Sequence, residues 1–425
     1  MSENVYVLGV GMTKFGKHLD KGVKALSGDS LDLVLEDCGL TRDDLEAAWF
    51  SNSGWGISEF QHSIRGQVAL TANGLSRIPM VNVENACASG STALHSAWMA
   101  IKAGVYDCVL AIGTEKMYFP PKEAAEGEKQ RARSMDGFIS GTDVEETRAY
   151  IEQLKEEGKR KREQKEKEAK EKGIKLEPKK SHSVFMDFYA AGSRRHMEKY
   201  GLTQRQLAII AAKNHNNSTL NALAQYTFPQ TVDQVMEDYE VAFPLTRAMC
   251  APIGDGSAAA IICSENFLKQ HPSTRAIRIR ASILRSGNRT PGDNLTTIAS
   301  KAAYEIAGVG PEDINVCEVH DATAFGELAQ TEGLGFCPIG EGGILAESGA
   351  TAITGKIPVN PSGGLISRGH PIGASGLAQT YELVTHLRGE AGERQVNNPK
   401  IALAENGGGT IGAGEAAMAI HIFGN

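Results

Sequence analysis

The stretch Val83-Glu84-Asn85-Ala86-Cys87-Ala88-Ser89-Gly90-Ser91-Thr92-Ala93-Leu94 joins a predicted strand to a predicted helix, and it decides how this chain folds. The apolar run at 78–83 is typical of a buried strand. Thr92 to Ala103 is apolar nearly all round, which predicts a helix inside the protein. Cys87 therefore lies at or just before a helix N-terminus, where unpaired backbone N–H groups are expected to lower the pKa of its thiol.

Cys87 has two interpretations. Most free cysteines are small, buried, hydrophobic residues, and packing alone could explain this one. Its neighbours Ala86, Ala88, Ser89 and Gly90 are all small, however, and they leave room for a substrate to reach the sulfur. Because a thiolate is the attacking form of cysteine, we favour a nucleophile at this position.

Length and composition limit the possible architecture and the possible function classes of the chain. The 425 residues suffice for two core-bearing domains or one large composite, and the net charge of −7 argues against general nucleic-acid binding. The seven cysteines are scattered without Cys-x-x-Cys spacing, so neither a disulfide framework nor a metal site is predicted. We expect a protein of the reducing cytoplasm, with no signal peptide and no membrane span.

Three pairs of segments recur in the same order along the chain, which indicates two related halves. The pairs are residues 38–52 with 307–321, 87–90 with 370–373, and 254–263 with 412–421. The first pair reads as a helix end, a turn and a strand, the second begins buried helices, and the third leads from a glycine turn into an apolar strand. Two similar α/β halves would bring the equivalent helix starts at Cys87 and His370 close together.

The N-terminal half carries a long insert. We predict an N-terminal half of residues 1–118 plus 246–268, an inserted domain of residues 119–245, and a C-terminal half of residues 269–425. Within the insert, residues 143–172 are rich in Glu and Lys spaced three to four apart, which favours an exposed helix. A solvated helix and a contact to a phosphate-bearing ligand or a partner are both open interpretations.

Three further clusters lie where an apolar run meets a turn of small residues. His320 and Asp321 follow a predicted strand, where α/β folds commonly place ligand-facing groups. His370 precedes a helix, and the loop at 405–409 contains Gly407-Gly408-Gly409 and could offer N–H donors to an oxyanion. Each cluster alone is a weak signal. Together with Cys87 they supply a nucleophile, a base and an electrostatic stabiliser for acyl transfer.

At these residues the chain resembles the thiolase superfamily, and the resemblance extends over nearly its whole length. The Asn-x-Cys-x-Ser-Gly motif at 85–90, the motif at 369–376 and the glycines at 407–409 are specific in combination. The resemblance implies an α/β thiolase fold with five layers, α-β-α-β-α, built of two related halves with an inserted loop domain that covers coenzyme A. His320 takes the place of an asparagine found in many thiolases, which is similar to the sterol-carrier-protein-type and archaeal branches.

The resemblance also implies roles for the motif residues. Cys87 would become acylated, His370 would activate it, and Asn406, Gly408 and Gly409 would belong to the loop that holds oxyanions. Coenzyme A would be a substrate, with no permanently bound cofactor. Candidate contacts to coenzyme A are Lys213, at the polar end of a helix that a capped terminus explains equally well, and Ser257.

One feature of the family is missing. Most thiolases carry a second cysteine that moves protons, whereas the corresponding positions here hold Glu405 or Asn406, depending on alignment, and Ala322. Glu405 could replace the thiol if partial burial raises its pKa, and His320 is the competing candidate. A salt-bridged strand end would explain Glu405 equally well.

The expected reaction is cleavage of a 3-oxoacyl-CoA by coenzyme A through an acyl-Cys87 intermediate. The lost thiol and the insert favour a degradative role with a branched or aromatic acyl chain, such as 2-benzoylsuccinyl-CoA giving benzoyl-CoA and succinyl-CoA. A biosynthetic acetoacetyl-CoA thiolase, a decarboxylating ketoacyl synthase and a retro-aldol lyase of the same fold stay open. The expected assembly is a homodimer or tetramer, with a small zinc-binding OB-fold protein as an accessory chain.

Overall fold

The computed structural model describes residues 4–119, 139–149, 151–152, 184–289, 292, 294–412 and 414–424. The predicted charged helix at 143–172 lies mostly outside these residues. Its first part is described, and residues 144–149 are helical there.

Strands and helices alternate through most of the chain. The strands are β1 (Val5–Met12), β2 (Ala47–Ser51), β3 (Met80–Val83), β4 (Cys108–Glu115), β5 (Glu240–Ala242), β6 (Leu245–Thr246), β7 (Gly256–Ser264), β8 (Ile277–Ser286), β9 (Val316–Glu318), β10 (Ile401–Ile411) and β11 (Gly414–Gly424). The helices are Val23–Cys38, Trp55–Glu59, Arg65–Thr71, Ser89–Lys102, Val184–Tyr200, Gln204–Ser218, Val232–Glu237, Glu265–Gln270, Leu295–Ala307, Ala324–Gly333, Gly342–Glu347, Gly364–Arg368 and Ser375–Arg388.

The strand order of the second half is that of the first half reversed, as expected for two related halves that meet side by side. The order is β3-β2-β4-β7-β1 and then β8-β11-β10-β9. In the first half β2 is parallel to β3 and β4, while β7 is antiparallel to β4 and β1. In the second half β9 is parallel to β10, and β11 is antiparallel to β10 and β8. Val359 bridges in parallel to Cys317 of β9, at the place that β3 has beside β2.

The predicted sequence repeats coincide with these equivalent elements. The helices Val23–Cys38 and Leu295–Ala307 both end in a glycine with left-handed φ, Gly39 and Gly308. A short 3-10 turn and then β2 or β9 follows each. The glycine is required here because a side chain at positive φ is strained, whereas glycine adopts this conformation freely and closes the helix end.

Three helix layers enclose the two sheet halves. Apolar residues of both sheet halves meet around the helices Ser89–Lys102 and Ser375–Arg388 in one central core. A second core joins the outer face of the first half to Val23–Cys38, and a third joins the outer face of the second half to Leu295–Ala307. The five-layered α-β-α-β-α architecture is thus confirmed.

The helix after Cys87 differs in detail from its prediction. It begins at Ser89 rather than Thr92, and it is not buried all round, because Met99 is 47% exposed. Its buried face meets the start of Ser375–Arg388 closely: a Cβ on Gly90 would lie 3.1 Å from the carbonyl oxygen of Gly373. The two helix starts are therefore adjacent, as the repeat predicts.

Part of the insert forms its own small core. Residues of Val184–Tyr200 and Gln204–Ser218 pack with β6 and with the helix Ala324–Gly333 of the C-terminal half. The three domain boundaries named above stay a prediction.

Candidate active site

Cys87 lies on a tight turn between β3 and the helix Ser89–Lys102. Ala86 adopts a φ of 48°, a left-handed conformation that is uncommon for a residue with a side chain. The hydroxyl of Ser89 stabilises the turn, because it accepts the Asn85 N–H at 2.8 Å and donates to the carbonyl of Ala86 at 2.6 Å. The helix N-cap is Ala88, so Cys87 stands one residue before the N-cap, and it is partly exposed.

His370 contacts the sulfur directly. Its Nε2 lies 3.2 Å from Sγ of Cys87, and its Nδ1 lies 2.7 Å from Oγ of Ser375. The Ser375 hydroxyl donates to the carbonyl of Pro371 at 3.0 Å, so it accepts from Nδ1–H of His370. This leaves the Nε2 lone pair facing the thiol, which is the tautomer that a base acting on Cys87 needs.

His320 completes a group of three. Its ring lies edge-on to that of His370, with centroids 5.2 Å apart. Its Nδ1 accepts from Nδ2 of Asn406 at 3.1 Å, while Oδ1 of Asn406 accepts from the Ser91 hydroxyl at 3.0 Å. The amide orientation therefore leaves the proton of neutral His320 on Nε2.

Burial dominates the electrostatics of the site. It raises the pKa of the Cys87 thiol to about 12, with the charges of Glu115 and Glu84 adding to the effect and the Gly409 backbone N–H opposing it. Burial also lowers the pKa of His320 to about 4 and that of His370 well below its usual value. The expectation of a resting thiolate was wrong, because desolvation outweighs the helix terminus. The resting pair is a neutral thiol beside a neutral imidazole.

Glu405 and Asn406 contact different parts of His320. Oε2 of Glu405 accepts the His320 backbone N–H at 2.9 Å, whereas Asn406 contacts the ring. The Glu405 side chain is fully buried, its Oε1 has no hydrogen-bond partner within the described residues, and burial raises its pKa well above the usual range. A neutral carboxylic acid therefore stands behind His320, and the salt-bridge interpretation is not supported.

The glycine loop packs onto the Cys87 turn. A Cβ on Gly408 would lie 2.3 Å from the carbonyl oxygen of Asn85 and 2.5 Å from the backbone nitrogen of Ala88. Gly409 has a φ of 64° and directs its N–H toward Cys87. The loop thus reaches the place that the oxyanion hypothesis requires, and its catalytic role stays a prediction.

Lys213 and Ser257 both bond other groups of the protein. Nζ of Lys213 is 2.5 Å from Glu327 Oε1 and donates to the carbonyl of Val359 at 2.7 Å. Ser257 is fully buried in β7 and bonds the hydroxyls of Ser30 and Thr114. Both side chains therefore bond other groups of the protein, and their contacts to coenzyme A stay a prediction.

Sequence reasoning missed two residues that support the site. Ser375 orients His370, although it stood unremarked within the motif at 369–376. Glu115, at the end of β4, is buried and accepts backbone N–H groups of Ser53, Gly54 and Gly373 at 2.9 to 3.0 Å. Glu115 could have been predicted as a site residue from the sequence, because it is a single carboxylate at the end of an apolar strand.

A cysteine in contact with a histidine, between two related α/β halves, is the arrangement expected of acyltransferases that work through a covalent thioester. Residues 5–241 match the family model described as the N-terminal domain of thiolase, and residues 285–424 match the model described as thiolase C-terminal domain-like. The chain belongs to the thiolase family.

Similar proteins agree with this family. An acetyl-CoA acetyltransferase of Methanothermobacter thermautotrophicus is 37% identical, over 99% of both chains. The benzoylsuccinyl-CoA thiolase subunit BbsB of Thauera aromatica is 31% identical, over 96% of both chains. The Ltp2-ChsH2(DUF35) aldolase has a similar fold, with a TM-score of 0.75 at 18% identity over 99% of this chain and 98% of that one.

These findings establish the chain as an acyltransferase of the thiolase type, with coenzyme A as a substrate. Among the described residues, no helix is both long and apolar enough to cross a membrane.

Proposed function

We propose that this protein cleaves a 3-oxoacyl-CoA with coenzyme A through an acyl-Cys87 intermediate. The 3.2 Å contact between Nε2 of His370 and Sγ of Cys87 is the observation that carries the proposal. His370 accepts the thiol proton as Sγ attacks the keto carbon. The Gly409 N–H and the Nε2–H of His320 are the groups that we assign to the developing negative charge.

The carbon–carbon bond then breaks and the departing enolate needs a proton. We assign this step to His320, because its ring stands in the group with Cys87 and His370 while Glu405 reaches only its main chain. His320 donates its Nε2 proton to the α-carbon, and the same nitrogen then takes the proton that His370 received from Cys87, so both imidazoles are neutral again. Neutral His370 next accepts the proton of the incoming coenzyme A thiol, which leaves a thiolate, and later returns it to the sulfur of Cys87. That thiolate attacks the acyl-Cys87 thioester and restores the free cysteine.

A pair of variants separates the two acid/base candidates. His320→Gln is expected to slow thiolysis by about 10²- to 10⁴-fold, the usual contribution of a positioned acid/base. Glu405→Gln keeps the size of the side chain and should cost less than about tenfold. Trapping of Cys87 by iodoacetamide checks that each variant retains an accessible thiol. A larger loss in Glu405→Gln than in His320→Gln would reverse the assignment.

For the substrate we propose a branched or aromatic acyl chain and a degradative role of the β-oxidation type. The relative named benzoylsuccinyl-CoA thiolase subunit supports this choice. An aromatic ring also stands near the nucleophile: a Cβ on Gly141 would lie 3.4 Å from the Phe185 ring and 3.8 Å from Cβ of Ala86. Acetoacetyl-CoA synthesis, with the acetyl-CoA acetyltransferase as its supporting relative, is the alternative direction.

Mass spectrometry of the intact protein tests both the covalent step and the acyl class. Brief exposure to short, branched and aromatic acyl-CoAs should add one acyl group, which peptide mapping should place on Cys87. Cys87→Ala is the matched control and should gain no mass at unchanged thermal stability. An adduct that persists in Cys87→Ala, or none with any donor both in the isolated chain and with the accessory chain added, would refute the proposal.

A decarboxylating ketoacyl synthase is the second candidate, because such an enzyme favours two histidines beside its cysteine and His320 and His370 meet that description. Release of carbon dioxide from malonyl-CoA would favour this reaction. A retro-aldol lyase is the third candidate, because the fold is shared with an aldolase, and the cysteine at position 87 counts against it, since such a lyase does not require one.

We propose a homodimer, or a tetramer of such dimers, formed through the free edge of β3. This strand pairs only with β2 among the described strands, and Val81 within it is 45% exposed. Edge strands with unpaired backbone groups and apolar side chains are templates for pairing with another chain. The location we propose is the cytoplasm, in line with seven free cysteines.

An accessory small zinc-binding OB-fold chain is a further proposal. The relative named a thiolase subunit, and the aldolase whose title joins two proteins, support it. Activity that appears only when a co-expressed small subunit is restored would bear it out, and full thiolysis by the isolated chain would oppose it.

A further inference from the structure

Three side chains of types that can coordinate metal ions converge at the active site. Sγ of Cys87 and one ring nitrogen each of His320 and His370 all lie within 4.8 Å of one another. Elsewhere in the part of the chain that the structure describes, no other His, Cys, Asp or Glu side chains form such a group of three. Cys87 and His370 are partly exposed, so a small ion can reach them from solvent.

The chemistry of this donor set is selective. A thiolate and two imidazoles are the ligands that Zn²⁺ and related thiophilic ions prefer, whereas Mg²⁺ and Ca²⁺ prefer oxygen. Three protein ligands leave a fourth position for water or an anion. The Nε2 lone pair of His370 already faces the sulfur, and the hydrogen bond from its Nδ1 to Ser375 is the type of contact that orients metal-binding histidines.

We propose that a divalent cation of the zinc class binds reversibly across Cys87, His320 and His370 and blocks the enzyme by occupying its nucleophile. A metal–sulfur bond forms as the S–H bond of Cys87 breaks, the proton passes to solvent, and nothing is oxidised or reduced. The ion is an inhibitory ligand and not a cofactor. The inhibition that we expect rests on the proposed acylation of Cys87, whereas binding of the ion does not depend on that proposal.

One hydrogen bond of the protein disfavours binding of the ion. Nδ1 of His320 accepts from Asn406, so coordination through Nε2 requires the ring proton to move to Nδ1 and the amide to turn its oxygen toward the ring. Asn406→Asp offers an acceptor to Nδ1–H without this rotation. We expect that variant to bind the ion more tightly, on the order of tenfold, as carboxylate partners of metal-bound histidines do.

Binding can be measured without turnover. Equilibrium dialysis of metal-free protein should give one tightly bound Zn²⁺ or Cd²⁺ per chain, and Cd²⁺ should produce the ultraviolet absorption of a cadmium–thiolate bond. Either ion should protect Cys87 from iodoacetamide, as peptide mass spectrometry can show, and a chelator should reverse the protection. Mg²⁺ should have no effect.

Two cysteine variants define the site. Cys87→Ser should lose the absorption and the tight equivalent, while Cys337→Ser, which removes a partly exposed cysteine elsewhere, should keep both. Unchanged binding in Cys87→Ser, loss in Cys337→Ser, or equal protection by Mg²⁺ would overturn the proposal. Acylation of the metal-free protein by acyl-CoA is scored separately, so failure of the metal site is distinguishable from failure of the proposed function.

Discussion

The hydroxyl of Ser375 sets which nitrogen of His370 carries the proton. It donates to the Pro371 carbonyl and accepts from Nδ1–H, so the Nε2 lone pair stays directed at Cys87. Ser375 is therefore a positioning residue that acts through His370.

We expect Ser375→Ala to slow acylation of Cys87 by about 10- to 100-fold, because the ring loses its fixed tautomer and orientation. Stopped-flow acylation, together with kcat and KM, measures the effect, and KM should change little. Thr380→Ala is the control, since it removes from the same helix a buried hydroxyl whose one hydrogen bond within the described residues is to the Gly376 carbonyl. Equal losses in both variants, or a loss confined to KM, would argue for a merely structural role.

A second residue-scale prediction concerns His421. It is fully buried beside Ser282, and burial lowers its pKa from 6.5 to about 3. The His421 ring is therefore protonated in the unfolded chain at pH values where it stays neutral in the folded protein. The resulting loss of folding stability begins as the pH falls below 6.5. Relative to His421→Gln, the wild type should lose about 3 kcal/mol of unfolding free energy by about pH 4. Urea denaturation of both proteins across this range measures the difference, and a constant difference would contradict the assignment.

At the scale of elements, the approach of β10 to the Cys87 turn depends on Gly408. The Cβ of Gly408→Ala would lie 2.3 Å from the backbone oxygen of Asn85, and neither segment can yield without moving the turn that holds Cys87. We expect a loss of about 1–3 kcal/mol in unfolding free energy and a large loss of acylation. Gly414→Ala, at the start of β11, meets open space and should leave both nearly unchanged. Full acylation by Gly408→Ala would show that the loop is free to move.

At the scale of the whole molecule, the two halves form one continuous sheet where β1 pairs with β8, at Tyr6 with Arg278 and Val7 with Ile277. That join leaves β3 and β9 as the outer strands, and β3 is the edge that we assign to the dimer. Val81→Lys should shift the protein to monomer in light scattering, because it places a charge in the proposed interface. Val105→Lys alters a more exposed valine outside β3 and should leave the assembly intact. A dimer that survives Val81→Lys would place the interface elsewhere.

The sequence by itself determined the architecture and the meeting of Cys87 with His370. Glycine-ended helices, apolar strands and three ordered repeats were sufficient for two related halves, because these signals are local and recur at equivalent positions. Only the tertiary structure decided the charge states and the division of roles. The protonated thiol of Cys87, the tautomers of His370 and His320 and the neutral acid at Glu405 all depend on burial and on hydrogen bonds between segments distant in the chain. The protein partners of Lys213 and Ser257 were not predictable for the same reason, because they lie on other elements and no local sequence pattern indicates them.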